Sequence, residues 1–375
     1  MFSVVQTIGA GLTKQLHLLL APKERFEAEG AGAFALNVLE TSRVSRFRDG
    51  VTVFGSPVEN PFDEIRFQPL AKARWWEGDR NKAMARRYAT FVKQKHPDLV
   101  EAYNRPVMLD VLCRRLGDVP IALHFGNDPR KMDGSRSASE RRRLLEQSAA
   151  VVCVSDFIRR CFLDGIDYPL TARVHVLHTG VPRASKFPAK EKQIVYVGRV
   201  VPEKGVLEFV QALARVLPQH PEWNAGIIGA RWFGGGEKPT AYENSVAQAA
   251  SSCGRIALCG FKPHEEVLVS LSRAGIAVVP SLWHDPFPRT ALEALAHGCA
   301  LICSTSGGLP ELGPGRAVYL DTVSAETLAG ALDRLMADDE ERQRLQRRGW
   351  EDFPFDIRRT TTQLDDLRER LTSPP

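Results

Sequence analysis

The stretch QIVYVGRVVPEKGVLEFVQALARVL, residues 193–217, decides the fold. It opens on an apolar, β-branched run, turns at Gly198, and continues with Val206, Phe209, Val210, Leu213 and Leu217 on one face of a helix. Strand, glycine turn and helix in that order form the repeating unit of a parallel sheet covered by helices. The turn also carries chemistry. A glycine lets the backbone approach a ligand, and a helix start offers free N–H groups and a positive dipole end. Arg199 and Lys204 add two full charges beside it, which makes Gly198 to Gly205 a candidate cradle for a diphosphate. Taken alone, such a turn is equally well read as a solvated basic connection.

Outward from this stretch, short apolar runs alternate with helical spacing along the whole chain. Strands are expected at 16–20, 51–54, 119–124, 150–155 and 173–178 in the first half. In the second they are expected at 193–198, 225–229, 255–260, 276–281 and 300–304. Each half then makes its own doubly wound α/β domain, and 375 residues suit two such domains. Between them, residues 182–192 are polar, with two prolines and four basic residues, the composition of an exposed connector. The boundary is therefore expected near 187, giving domains 1–187 and 188–351. Residues 352–375 return to helical spacing and are expected to pack back on the first domain.

A second informative stretch runs from Ala277 to Leu312. A buried strand ends at Pro280-Ser281, a loop carries Asp285-Pro286-Phe287, and an Ala/Leu helix contains Glu293. His297-Gly298 ends the helix before the next strand, and a Gly307-Gly308 turn leads to Glu311. Asp285 and Glu293, eight residues apart, are thereby expected to face one cleft at the carboxyl ends of the strands. Carboxylates suit sugar and ribose hydroxyls because each oxygen accepts charge-assisted hydrogen bonds.

These two stretches resemble the donor-binding domain of GT4-type retaining glycosyltransferases, the group 1 glycosyl transferases. Their GT-B architecture sets two Rossmann-like domains face to face across a cleft. The resemblance rests on Gly198, Arg199, Lys204 and Gly205, on Asp285 to Glu293, and on Gly307 to Glu311. It covers the second half well and the first more loosely. It implies that Arg199 and Lys204 bind the nucleotide diphosphate, that Asp285 lies near the donor sugar, and that Glu293 holds the ribose. Phe287, Arg289 and Thr290 belong to the same implied donor site. Asp285 stands where the family usually has Glu, and Pro288 where Gly is usual, so the departures fall at the sugar pocket.

In the first half, Gly30, Gly32 and Ala35 satisfy the spacing of a dinucleotide fingerprint, but the loop starts about nine residues after its strand and the next strand carries no acid at its tip. An NAD-dependent oxidoreductase is weakened accordingly. The resemblance makes Gly30 and Gly32 the loop whose backbone lies near the donor phosphates. It also places His124, at the end of an apolar strand, beside donor sugar and acceptor, where the residues alone read equally well as a turn cap. The implied activity is metal-independent, retaining transfer of a hexose from a nucleotide sugar, such as a UDP-sugar, to a glycan or lipid-linked acceptor. Cell-envelope polysaccharide synthesis, including lipopolysaccharide, is the implied setting. A sugar-nucleotide epimerase of the same architecture and an inactive sugar-nucleotide-binding subunit stay open as alternatives.

Charge and cysteines bound the partners. Residues 1–187 hold 29 Lys and Arg against 21 Asp and Glu, a net +8, whereas the rest holds 21 against 24. Basic residues gather over 80–95 and 130–143, and the first of these is expected to be an amphipathic helix presenting Met84, Tyr88 and Phe91 to an anionic membrane. No nucleic-acid-binding pattern accompanies the charge. Seven cysteines without a CxxC pair argue against a zinc ribbon and fit thiols of a reducing compartment. No cofactor or metal motif is evident. No signal-like leader is read in residues 1–13 and no apolar run spans a bilayer, so a cytoplasmic, at most peripheral, location is expected.

Overall fold

The computed structural model describes residues 13–93, 96–167, 169–231 and 238–373. Residues 1–12, which bear on the leader, and Lys95 of the first basic cluster lie outside them.

The chain forms two parallel sheets with interleaved helices. The first half runs β1 (Leu16–Leu19), α1 (Ala33–Val44), β2 (Val51–Gly55), β3 (Arg66–Pro69), α2 (Arg80–Phe91) and β4 (Leu99–Tyr103). It continues with α3 (Leu109–Leu116), β5 (Ile121–Phe125), α4 (Ala138–Gln147), β6 (Ala150–Cys153), α5 (Asp156–Leu163) and β7 (Val174–Val176). The second half runs β8 (Glu191–Val197), α6 (Val206–Val216), β9 (Asn224–Ile228), α7 (Ala241–Ser251), β10 (Ile256–Gly260) and α8 (His264–Arg273). After these come β11 (Ala274–Val279), α9 (Arg289–Ala296), β12 (Ala300–Ser304), β13 (Ala317–Leu320), α10 (Ala325–Ala337) and α11 (Asp339–Glu351). The last helix is α12 (Ile357–Thr372).

Strand order is β3-β2-β1-β4-β5-β6-β7 in the first sheet and β10-β9-β8-β11-β12-β13 in the second. Both are doubly wound, Rossmann-like sheets, and their order reverses between β1 and β4 and between β8 and β11. Such switch points open a crevice at the strands' carboxyl ends. The decisive stretch folds as read: Val206, Phe209, Val210, Leu213 and Leu217 are fully buried against the second sheet. Burial of each contributes about 1.5–3 kcal/mol.

The sequence reading missed three strands, each for a physical reason. β3 is an exposed edge strand ending in Pro69, β13 is the other sheet's edge strand with only Ala317 buried, and β4 carries Glu101 where an apolar residue was sought. Glu101 is buried but compensated, because Arg368 of α12 donates to both its oxygens at 2.7 and 2.9 Å. Through this pair and Asp365, which accepts from Ser45 and Arg46, α12 is bound to the first sheet and α1. The basic helix α2 also departs from expectation. Met84 and Tyr88 lie in the first-domain core, so the face read as membrane-seeking is turned inward and only Phe91 stays exposed. A stripe at helical spacing buried itself against the nearest sheet, as amphipathic helices do.

Side chains of one domain tie onto the other at several points. Glu311 accepts from the N–H groups of Asp156 and Phe157, capping α5 at 2.8 Å each, and bonds His178 at 2.9 Å. Ser155 Oγ caps the same helix and donates to the Pro286 carbonyl. Asp156 itself pairs with Arg159 and Arg160 on its own helix.

Candidate functional site

A cleft of about 440 Å³ lies between the two domains, at the carboxyl ends of β1, β5, β8 and β11. From the second domain it is lined by Gly198 and Arg199 after β8, by Ser281 and Asp285 after β11, and by Phe287, Arg289, Thr290 and Glu293 at the start of α9. Lys204 also reaches it. The first domain contributes the Gly30 to Phe34 segment that opens α1, together with Gly126 and Asn127 after β5.

Gly205 lies behind this wall rather than in it. Its φ is +67°, and a Cβ there would meet the Pro280 carbonyl oxygen at 2.0 Å, so the residue presses the α6 turn against the β11 loop. Gly307, with φ +66°, does the same from the opposite side, since its Cβ would sit 2.0 Å from the Asp285 carbonyl oxygen. These two close approaches hold the Lys204 turn and the Asp285 loop side by side. Lys204 Nζ and Asp285 Oδ2 form a salt bridge, and Ser281 Oγ donates to the same oxygen at 3.2 Å. Lys204 Nζ also stands 5.4 Å above the Trp283 ring. Arg199 is half-exposed, with only a 3.5 Å contact to Glu203.

Glu293 is 3% exposed and ionised. Burial opposes its charge, but Arg289 and His264 outweigh it and hold the carboxyl below its usual range. Both bonds, from Arg289 Nε at 2.6 Å and with His264 Nε2 at 2.7 Å, go to Oε1. Arg289 spans the domains: its other arm donates to Glu40 of α1 at 2.6 Å. Two atoms of this buried chain, Arg289 Nη1 and Glu40 Oε2, make no hydrogen bond. Buried polar atoms are nearly always paired, so unpaired ones at a cleft mark where a ligand or water completes the set.

His124 is not brought to the cleft surface. Its ring stacks on Tyr103 at 4.4 Å and its Nε2 lies 3.6 Å from Glu101, with no hydrogen bond. Burial pushes its pKa down to about 4, against the pull of Glu101, so the ring is neutral near pH 7. The residues after it, Gly126 and Asn127, take the lining position instead.

Residues 181–352 match the family described as glycosyl transferases group 1. The second domain is a group 1 glycosyl transferase domain. Spore coat protein SA of Bacillus subtilis is 24% identical over 276 residues, 68% of this chain and 73% of that protein. Glycogen synthase of Mycobacterium tuberculosis is 30% identical over 234 residues, 57% of this chain, and the match spans about half of that enzyme, 54%. Anabaena HepE, solved in complex with UDP-glucose, superimposes with a TM-score of 0.72 at 16% identity, covering 95% of this chain and 99% of that one. That likeness shows the fold, the GT-B arrangement of two Rossmann-like domains.

Of the site residues the resemblance implies, the cleft gathers all but Gly205, which backs it, and His124, which lies buried away from its surface. Glu40 and His264, which hold Arg289 and Glu293, were missed by sequence reading. Glu40 left one legible trace, an acid beside Val38 and Leu39 on the buried part of α1.

Proposed function

We propose that this protein is a retaining glycosyltransferase that moves a hexose from a nucleotide diphosphate sugar, a UDP-sugar, to a glycan or lipid-linked acceptor of the cell envelope. The reading is carried by one observation: Arg199, Lys204, Asp285 and Glu293 of the second domain line one cleft opposite Gly30 and Gly32 of the first. Residues 188–351 would hold the donor and residues 1–187 the acceptor.

The chemistry follows from the side chains. Arg199, Lys204 and the backbone turn at Gly198 neutralise the diphosphate, and they do most where negative charge develops as the sugar–phosphate bond breaks. Lys204 is already aimed into the site by Asp285 and Ser281, so little reorganisation is needed when phosphate arrives. Glu293 holds the ribose hydroxyls through Oε2, the oxygen its two neighbours leave unused. Asp285 stands near the sugar. Attack on the same face, with the leaving phosphate taking the acceptor's proton, retains configuration and needs no nucleophilic side chain. The donor phosphate is neutralised by side chains alone, so turnover should persist in excess EDTA; loss of turnover restored by Mg²⁺ would contradict this.

Exposed Trp75 and Trp76, 90% and 60% accessible, together with the net charge of the first half, support a peripheral contact with an anionic membrane. The described residues contain no helix long and apolar enough to cross one. The direct test of the reaction is transfer from a panel of nucleotide sugars. Lys204→Ala and Glu293→Gln should each remain folded and lose at least about a hundredfold in kcat/KM, roughly 3 kcal/mol of transition-state stabilisation. Near-normal turnover in both would overturn the assignment.

A further inference from the structure

A second basin, of about 720 Å³, opens at the carboxyl ends of β1, β2 and β3, on the first domain alone. Lys23, Arg25, Lys72 and Arg80 line it, against two acids, Glu24 and Glu59. Among the described residues Lys23, Lys72 and Arg80 make no ion pair, and Arg25 pairs only with Glu27. Four cations from three separate chain segments, three of them uncompensated, converge on one concavity. Exposed at one opening, they give it a positive potential that favours an anion.

The basin is one side chain away from the donor cleft. Glu24 lines the basin, and its Oε2 lies 2.6 Å from where a Cβ on Gly32 would stand, while Gly32 lines the cleft. That oxygen is buried and makes no hydrogen bond. The segment that joins the lining residues Ala73 and Arg80 carries Trp75 and Trp76, edge to face at 5.6 Å and exposed. Flat apolar rings beside a basic basin suit the faces of a sugar next to a phosphate.

We propose that this basin receives the phosphate group of the acceptor, held by Lys23, Arg25, Lys72 and Arg80, with the sugar to be extended passing over Glu24 toward the donor. The proposal rests on the transferase reading and names the acceptor's class: a phosphorylated sugar, whether free or carried on a lipid.

The test uses the full chain and inorganic phosphate as probe, by calorimetry, with the donor cleft first saturated with UDP. Lys72→Ala/Arg80→Ala, which removes two exposed side chains without partners, should keep the melting temperature and weaken phosphate binding at least about tenfold. The matched control, Arg114→Ala/Arg115→Ala, removes the same charge at the end of α3, on the opposite end of the sheet from the basin, and should leave phosphate affinity unchanged. Equal loss in the control, or no saturable phosphate binding, overturns the proposal. Co-sedimentation with phosphatidic acid vesicles separates the sources. Vesicle binding lost in the basin variant assigns a lipid-linked phosphate; variant-sensitive phosphate binding without vesicle binding assigns a soluble sugar phosphate. If UDP fails to bind, the donor reading falls, while the basin is still read by phosphate alone.

Discussion

At the residue scale the site depends on buried charges that hold one another. Asp285 keeps Lys204 in the cleft, and Glu40 keeps Arg289 against Glu293 across the domain boundary. Removing one member leaves its partner buried and unpaired, which costs about 3–5 kcal/mol for a fully buried pair. Glu40→Ala is therefore expected to lower the melting temperature by several degrees and to raise the KM for donor more than it lowers kcat, because Arg289 loses its second anchor while no reacting group is touched. Glu40→Gln should restore most of the stability by accepting the same hydrogen bond. An unchanged KM in both variants would show that Arg289 needs no help from the first domain. The site was partly legible at this scale. Arg199, Lys204, Asp285 and Glu293 carry short local spacings, whereas Glu40 comes from a helix 249 residues from Arg289 and His264 from the preceding helix, 29 residues from Glu293, and only folding reveals that they meet.

At the scale of elements, sequence patterning found strands whose apolar runs are uninterrupted and missed those in which tertiary partners replace local pattern. β4 is the case in point: it sits at the reversal of the first sheet, yet its central Glu101 is acceptable only because Arg368 arrives from α12, 267 residues later. Burial works against its charge, but Arg368, with His124 and Tyr103, pulls the Glu101 carboxyl down to about 2. Arg368→Ala should accordingly destabilise the first domain by about 3–5 kcal/mol in a denaturant titration of the full chain. Loss of less than about 1 kcal/mol would mean that α12 is held by its apolar face alone. The same core fixes a pH dependence. His17, which bonds Tyr88, and His124 are both held near pKa 4, chiefly by burial, whereas unfolded histidine titrates near 6.5. The unfolded chain thus binds more protons between these values, and stability should fall as pH drops from about 6.5 to 4. A double variant, His17→Phe/His124→Gln, should flatten that slope; an unaltered slope would place the effect elsewhere.

At the scale of the molecule, the uneven charge acquires a location. The near-neutral second half carries only a few local cations at the Gly198 turn, while the basic first half holds the basin beside Trp75 and Trp76. Interactions of exposed charges are screened within about 8 Å at physiological ionic strength. Binding to phosphatidylglycerol vesicles should then be released by high salt; salt-insensitive association would point to apolar insertion instead. The order of both sheets was legible only in outline, because the two-domain α/β class follows from alternation, whereas strand order depends on β4 and on contacts no local window contains. The central claim is that the interdomain cleft is a nucleotide-sugar site held by Lys204 and Glu293. Calorimetric titration with UDP tests it most directly: saturable binding to the native chain, weakened at least about tenfold in Lys204→Ala and in Glu293→Gln, is the predicted result. No binding to the native chain, or equal binding to all three proteins, would contradict it.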